Sequence, residues 1–322
     1  MGATPEIAVI IPAYNASAYL AETLHAVSEQ TVPLECLVVD DGSSDDTVDI
    51  ATSFAQSDAR FRVLSQENGG PVAARSTGVA HTTAPLLIFC DADDLLGPQQ
   101  LSTMVSALRH TSRAPGAVCS FSGIDEQGDI RDPGSYPQWV SSPVRASGFT
   151  LAPSERWSFD AAVTRLCFPP PAGVVVRREA YLAAGGFDPR VTRSEDYDLW
   201  VRVAEVGDFI FVPQATFAYR AHGAQRSQTQ GRAQGAVRAR GRIMKIATSR
   251  RRVLQAWHGS AVFYGHLAYQ RVRSGLSQRS WSTLRAGLLN CGIVCLVTWW
   301  ALLALLTPTS RRVARRPRAH AA

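Results

Sequence analysis

Lysine is nearly missing from this chain of 322 residues: Lys245 is the only one, and arginine supplies the remaining basic side chains. Acid also runs out. No Asp or Glu follows Asp208, so residues 220–322 carry 19 Lys and Arg against no acid at all. None of the six cysteines (Cys36, Cys90, Cys119, Cys167, Cys291, Cys295) belongs to a C-x-x-C pair, which removes the usual spacing of zinc ribbons and dithiol redox centres. Several lie inside apolar runs, the pattern of buried free thiols in a reducing compartment. Met1 to Glu6 has no basic region and the apolar stretch after it is five residues long, so a secretory signal is not expected and the body of the chain is placed in the cytoplasm. No internal repeat is evident.

What is present divides by charge. The first 219 residues hold 14 Arg against all 27 acids, a net charge of −13, although the whole chain is +6. An acidic body with a basic tail points to a tail that meets phosphates of anionic lipid or nucleic acid, with solvated Arg-rich helices as the plainer alternative. Residues 286–306 run uncharged for 21 positions and include Trp299 and Trp300, about 30 Å as a helix. Arg285 precedes them and Arg311, Arg312, Arg315, Arg316 and Arg318 follow. Length and flanking charge predict attachment to the inner face of the plasma membrane, by spanning it or lying in it; a packed soluble helix is the other outcome.

With 46% hydrophobic residues, the chain can bury one large α/β domain with an appendage, or two modest domains. Short apolar runs at 7–11, 34–39, 61–64 and 86–90 predict strands. Between them, helices are predicted over 17–30, with Ser17 as cap and Leu20, Leu24 and Val27 on one face, then over 48–56 and up to Ala80. This alternation argues for an open, mainly parallel, doubly wound sheet with flanking helices. Ligands of such sheets bind outside the carboxyl ends of the strands, where the polar clusters of this sequence fall. A helix over 98–110 and a strand over 117–121 follow. An irregular, Pro-rich stretch covers 122–172, long enough to be functional, and regular structure returns with strands at 174–176 and 209–212 around helices ending near Ala184 and containing Leu199 and Val203.

The densest chemistry lies where the apolar run 85–90 drives into Asp91-Ala92-Asp93-Asp94. Three carboxylates at the mouth of a strand repel one another unless a cation sits among them. Hard oxygen ligands suit Mg²⁺ or Mn²⁺, ions that keep open positions for phosphate oxygens. Taken alone, two acids one residue apart are as well explained by a turn facing water, so the weight comes from the motifs around them.

Val9-Ile10-Ile11-Pro12-Ala13-Tyr14-Asn15, Val38-Val39-Asp40-Asp41-Gly42-Ser43-Ser44-Asp45, Asn68-Gly69-Gly70 with Ala74-Arg75, Asp91-Ala92-Asp93-Asp94, Gly185-Gly186-Phe187-Asp188 and Glu195-Asp196-Tyr197-Asp198-Leu199-Trp200 occur in the order seen in family 2 glycosyltransferases. The segment 7–222 resembles that family. The resemblance implies a GT-A fold over 1–222, with a nucleotide-sugar half to about residue 97 and an acceptor half beyond it, and a basic helical region over 223–322. It implies a UDP- or dTDP-sugar donor and inversion at the anomeric carbon.

By the same resemblance, Asp41 accepts the N3–H of a pyrimidine, an ionised Asp being an acceptor only, unless it serves as a helix cap. Pro12, Ala13 and Tyr14 form the base pocket, and Ala92 lies along the donor. Arg75 reaches the nucleotide or makes a salt bridge on its helix surface. Asp93 ligates the metal, Asp91 holds the ribose or a metal-bound water, Asp94 supports those ligands from behind or is only a loop acid, and His222 in Tyr219-Arg220-Ala221-His222 joins the metal or diphosphate. Asp196 is the base and Glu195 orients the acceptor or supports the loop, the alternative being acids at a helix N-terminus; Trp200 is core or a wall for a sugar ring. A saccharide or lipid-linked saccharide of the cell envelope is the implied acceptor. The chain has no Gln-x-x-Arg-Trp motif, so one sugar per encounter is implied rather than processive synthesis.

Three rivals remain in view. A phosphatase of the haloacid dehalogenase type uses Asp-x-Asp after an apolar strand, but wants Thr or Val where Leu95 stands and a later Lys. A nucleotidyltransferase needs a Gly-rich loop where Pro12-Ala13-Tyr14-Asn15 stands. A non-catalytic module binding membrane or nucleic acid through its basic tail sits badly with the acids at 41, 91, 93 and 196.

Overall fold

Ile7, Ala8, Val9, Ile10 and Ile11 are all fully buried, because a parallel strand in the middle of a sheet is covered by helices on both faces and reads as a continuous apolar run. In this computed structural model the described residues are 4–130, 156–157, 170–191 and 194–223, with 254, 257, 295 and 298. Apart from 295 and 298, the predicted membrane helix 286–306 lies outside them, as do most of the basic region and most of the irregular stretch 122–172. No helix among the described residues is long and apolar enough to cross a membrane. The chain divides into two units; the first comprises Met1–Ser158, Pro169–Arg190 and Val203–Gln225.

The first unit holds the whole sheet. Its strands are β1 (Ile7–Ala13), β2 (Leu34–Asp40), β3 (Phe61–Ser65), β4 (Leu86–Phe89), β5 (Leu95–Leu96), β6 (Gly116–Ile124), β7 (Arg156–Trp157), β8 (Val174–Arg177) and β9 (Phe209–Arg220). They are ordered β3-β2-β1-β4-β8-β6-β9-β5, with β7 against β9. From β3 to β4 every pairing is parallel, as the alternation of apolar runs and helices predicts. Beyond β4 the sheet is mixed: β8 is antiparallel to β4 and β6, β9 is parallel to β6, and β5 and β7 are antiparallel to β9. The helices are α1 (Leu20–Ser28), α2 (Thr47–Ser57), α3 (Pro71–Ala80), α4 (Gln100–Arg109), α5 (Arg178–Ala183) and α6 (Glu195–Ala204).

Two differences from the expected elements matter for function. α1 begins at Leu20, with Tyr19 rather than Ser17 at its cap; Asn15 turns the chain in the left-handed region (φ 47°) before it, and the Ser17 N–H donates to Asp45. Leu20, Leu24 and Val27 are its buried face, as predicted. β9 does not stop at Val212 but continues to Arg220, with a register shift against β6 between Cys119 and Ser120. The extra length pairs Leu95 with Ala218 and so carries Tyr219 to His222 alongside the residues that follow Asp91.

The turn at Gly97 secures this arrangement. Its N–H donates to Thr216 O (3.1 Å) and to Gln100 Oε1 (3.1 Å), and its carbonyl accepts from Gln30 Nε2 (3.0 Å). Gln30 and Gln100 are buried amides whose polar atoms need partners there. A Cβ on Gly97 would stand 2.1 Å from Thr216 O, backbone that has no rotamer to yield. Gly97→Ala is therefore expected to cost about 1–3 kcal/mol, the usual range for overpacking, read as a lower urea midpoint; an unchanged midpoint would show that β5 and β9 part without penalty.

Candidate active site

At the carboxyl edge of β1 and β2, two loops are clamped to each other by hydrogen bonds. Asn15 N–H donates to Ser43 Oγ (3.0 Å), Ala16 N–H to Thr47 Oγ1 (2.8 Å) and Ser17 N–H to Asp45 Oδ2 (3.1 Å), while Ser44 N–H donates to Asn15 Oδ1 (2.9 Å). Tyr14, at the tip, is 55% exposed. Pro12 and Ala13 pair with Val39 and Asp40, and Ala13 O accepts the Asp41 N–H (2.8 Å). The predicted base-pocket residues are thus brought together.

Asp41 is buried and faces the loop between β3 and α3. It accepts from Gln66 Nε2 (2.7 Å), Gly69 N–H (2.9 Å) and Gly70 N–H (2.7 Å). It does not cap α2, whose first residue Thr47 donates its N–H to Asp45 Oδ1 (3.1 Å). A carboxylate offers about four lone-pair sites, so these three bonds orient Asp41 and leave acceptor capacity for a further donor. Gly70 stands at φ 81°, which keeps its N–H turned to Asp41 without strain.

The acids after β4 are held by cations and by depth. One ligand atom from each of Asp91, Asp93 and Asp94 falls in a group whose members lie within 4.8 Å of one another. Asp94, expected either as support behind the metal ligands or as a loop acid, is fully buried, which removes the loop alternative, and one of its oxygens, Oδ2, has no hydrogen-bond partner. Burial, then the neighbouring Asp93 and Asp91 charges, push its carboxyl well above the usual range, opposed by the Arg220 N–H and charge. Ala92 is buried, and its carbonyl accepts the Thr23 hydroxyl (3.0 Å).

Arg75 pairs with Asp91 at 2.6 Å and is 4% exposed, so this ion pair is not the helix-surface salt bridge weighed for it. Its guanidinium also lies over the Phe187 ring (5.4 Å), and Phe187 packs edge-on against Phe89 of β4 (4.9 Å). Gly186 permits that turn: its φ is 62°, and a Cβ would stand 3.0 Å from the Tyr181 hydroxyl oxygen. Gly185-Gly186-Phe187-Asp188 thus supports the acidic cluster through Arg75. On the other side His222 Nε2 lies 2.8 Å from Asp93 Oδ2. A carboxylate only accepts, so in this arrangement that nitrogen carries the proton.

α6 opens with Glu195, Asp196 and Asp198 in its first turn, where the positive end of the helix dipole favours acids. Residues Val191–Arg202 belong to the second unit. Glu195 is buried and Asp196 half-buried, with Asp196 Oδ1 accepting the Tyr197 N–H (2.7 Å). Asp198 and Arg202 form a buried pair at 2.8 Å. Trp200 is fully buried, in line with a core residue.

The interloop clamp has a pH signature. Asp45 is lowered to about 2: slight burial raises it, and hydrogen bonds from Ser17 and Thr47 outweigh that. A carboxyl whose folded pKa lies below its ordinary 3.8 contributes stability at higher pH that is lost as pH falls through the folded value. Asp45→Asn is expected to flatten the acid-unfolding profile between about pH 4 and about pH 2, followed by circular dichroism; a profile identical to that of the unaltered chain would show that the clamp carries no stability.

A family model described as glycosyl transferase family 2 matches residues 8–141. An uncharacterized glycosyltransferase of Nostoc sp. is 30% identical over 222 residues, 68% of this chain and 66% of its own. Chondroitin synthase of Escherichia coli is 24% identical over 225 residues, 68% of this chain but 29% of its own, so the chain spans under a third of that relative. Among solved structures, residues 1–349 of S. aureus TarS in complex with UDP-GlcNAc superpose with a TM-score of 0.61 at 15% identity, covering 96% of this chain and 83% of that one. A mannosyltransferase from Pyrobaculum calidifontis in complex with GDP-Man and Mn²⁺ gives 0.59 at 19% identity, covering 97% and 84%. The mixed sheet is that of the GT-A fold, and with its ordered motifs at the carboxyl edge the chain belongs to the family 2 glycosyltransferases.

Proposed function

We propose that this chain transfers one sugar, with inversion, from a nucleoside-diphosphate sugar to a hydroxyl of a saccharide or lipid-linked saccharide of the cell envelope. The observation that carries the reading is the group of three carboxylates beyond β4, one of them buried with an unpartnered oxygen. An all-oxygen set of this charge fits Mg²⁺ or Mn²⁺, with Asp93 and Asp91 as holders and His222 beside them. When bound, the ion would offset the charge that develops on the departing diphosphate. UDP-GlcNAc in the TarS structure and GDP-Man with Mn²⁺ in the mannosyltransferase structure support a nucleotide-sugar donor.

The chain's own residues divide the remaining work. Asp41, preset by three donors, accepts the pyrimidine N3–H, with Pro12, Ala13 and Tyr14 against the base and Ala92 along the donor. Arg75 acts through Asp91, fixing its carboxylate by the 2.6 Å ion pair. Asp196 takes the proton of the acceptor hydroxyl as its oxygen bonds to the anomeric carbon and the bond to the diphosphate breaks. Glu195 orients the acceptor. The nucleotide half comprises residues 1–97 and the acceptor half 98–222, while the basic region from residue 223 meets an anionic membrane surface.

Asp93→Ala is expected to abolish transfer together with the metal-dependent part of donor binding, measured by calorimetry with UDP and Mn²⁺; normal turnover would remove the metal role. Asp196→Asn should lower turnover by roughly 10²–10⁴-fold, the range for a general base, with donor affinity retained. Loss of donor affinity instead would take Asp196 out of the base role. Hydrolysis of UDP-, dTDP- and GDP-sugars with Mn²⁺ identifies the donor.

A further inference from the structure

Arg220 is an arginine with no exposed surface, set among acids that a metal reading reserves for a cation. Its side chain is 0% exposed, and the proposed mechanism gives it no task. Nε donates to Asp93 O (3.1 Å), the NH1 nitrogen to Asp125 O (3.3 Å) and Glu126 O (3.1 Å), and the NH2 nitrogen to the Glu22 carboxylate (2.5 Å). Its backbone N–H donates to Asp94 Oδ1 (3.2 Å). The guanidinium lies over the Tyr19 ring (4.9 Å), and the same ring meets the imidazole of His222 at 4.7 Å.

One side chain therefore joins three stretches far apart in sequence: the start of α1 through Tyr19 and Glu22, the acidic loop through the Asp93 carbonyl, and the turn after β6 through Asp125 and Glu126, while the backbone N–H of the same residue holds Asp94. The planar fork of guanidinium donors suits this task, since a point-like ammonium cannot reach several carbonyls in fixed directions. Glu22 supplies a carboxylate partner for the side chain from the surface, being 57% exposed itself.

We infer that Arg220 is a positioning residue that sets the Asp93 and His222 side chains for the metal by holding the Asp93 carbonyl and the Tyr19 ring, with Glu22 as its outer anchor. The inference rests on the metal reading of the preceding section. Two observations carry it. The Asp93 main chain is tied by Nε, so the direction of the Asp93 side chain depends on a bond that lysine does not reproduce. His222 follows Arg220 by two residues and rests on the ring that Arg220 also covers. Groups that orient ligands in this way are worth roughly 10–100-fold in metal affinity.

The test uses the full chain with Mn²⁺ followed by the free-ion electron paramagnetic resonance signal, and UDP binding by calorimetry with Mn²⁺ or with EDTA. Arg220→Lys is expected to weaken Mn²⁺ binding by about tenfold or more while leaving UDP affinity in EDTA unchanged. Glu22→Ala, a surface change on α1 that should fold even if Arg220→Lys does not, should weaken Mn²⁺ in the same direction by a smaller factor. A folded variant with unaltered Mn²⁺ affinity in both cases overturns the positioning role. So does an equal loss of UDP affinity with and without metal, the mark of a merely structural residue. Asp93→Ala separates the two levels: if it loses Mn²⁺ while the Arg220 and Glu22 variants keep it, only the positioning role falls. If Asp93→Ala binds Mn²⁺ as the unaltered chain does, the metal reading falls and the inference with it.

Discussion

A carboxylate buried beside two others sets the terms for the carboxyl edge of this protein. Asp94 has no exposure, and burial together with Asp93 and Asp91 drives its carboxyl upward. Leaving such charge unanswered costs several kcal/mol, and the surrounding chain answers it group by group. Arg75 takes Asp91, the Arg220 N–H takes one oxygen of Asp94, and His222 takes Asp93. Each partner is supported in turn: Arg75 by the Phe187 face, Arg220 by Glu22 and three carbonyls, His222 by the Tyr19 ring. The order of the site is thus inherited from the need to compensate buried acid.

The two halves of the sheet meet this need by different routes. From β1 to β4, successive strand and helix units leave their loops at one edge, and neighbouring loops clamp one another through short polar side chains and backbone N–H groups. Asn15 to Ser43, Ser17 to Asp45 and Asp41 to Gly69 and Gly70 are such clamps. Rigid loops of this kind suit a donor site, since binding then orders little that was free. The second half works through distant pairs. Leu95 with Ala218, Asp94 with Arg220 and Asp93 with His222 all join residues more than 120 positions apart, and the long β9 with its register shift makes them possible.

Much of this was legible before any fold was known. Apolar runs located β1 to β4 within two residues, because strands buried on both faces leave an unmixed pattern. The polar clusters fell at the carboxyl ends, as an α/β sheet requires. Less legible was whatever depended on tertiary pairing. Pro213, Gln214 and Ala215 interrupt the apolar pattern, so β9 read as a short strand ending at Val212 although it runs to Arg220. Asp94 read either as a loop acid or as a support for the metal ligands because nothing in Asp91-Ala92-Asp93-Asp94 distinguishes a residue facing water from one facing the core. Arg75 read equally as a surface cation, since its burial depends on Phe187 arriving from more than a hundred residues away.

The sequence by itself determined the kinds of chemistry available: acids in a fixed order at strand ends, glycines where N–H groups must turn toward a carboxylate, and a basic tail devoid of acid. Those follow from local composition and periodicity. Only the tertiary structure decided which acids are buried and which donor answers each, because desolvation and pairing are set by what packs around a group and not by its neighbours along the chain. For that reason Tyr19 and Glu22 do not stand out in the linear pattern, and Arg220 does so only as a neighbour of His222 in its motif, while all three stand around the acids in the folded chain.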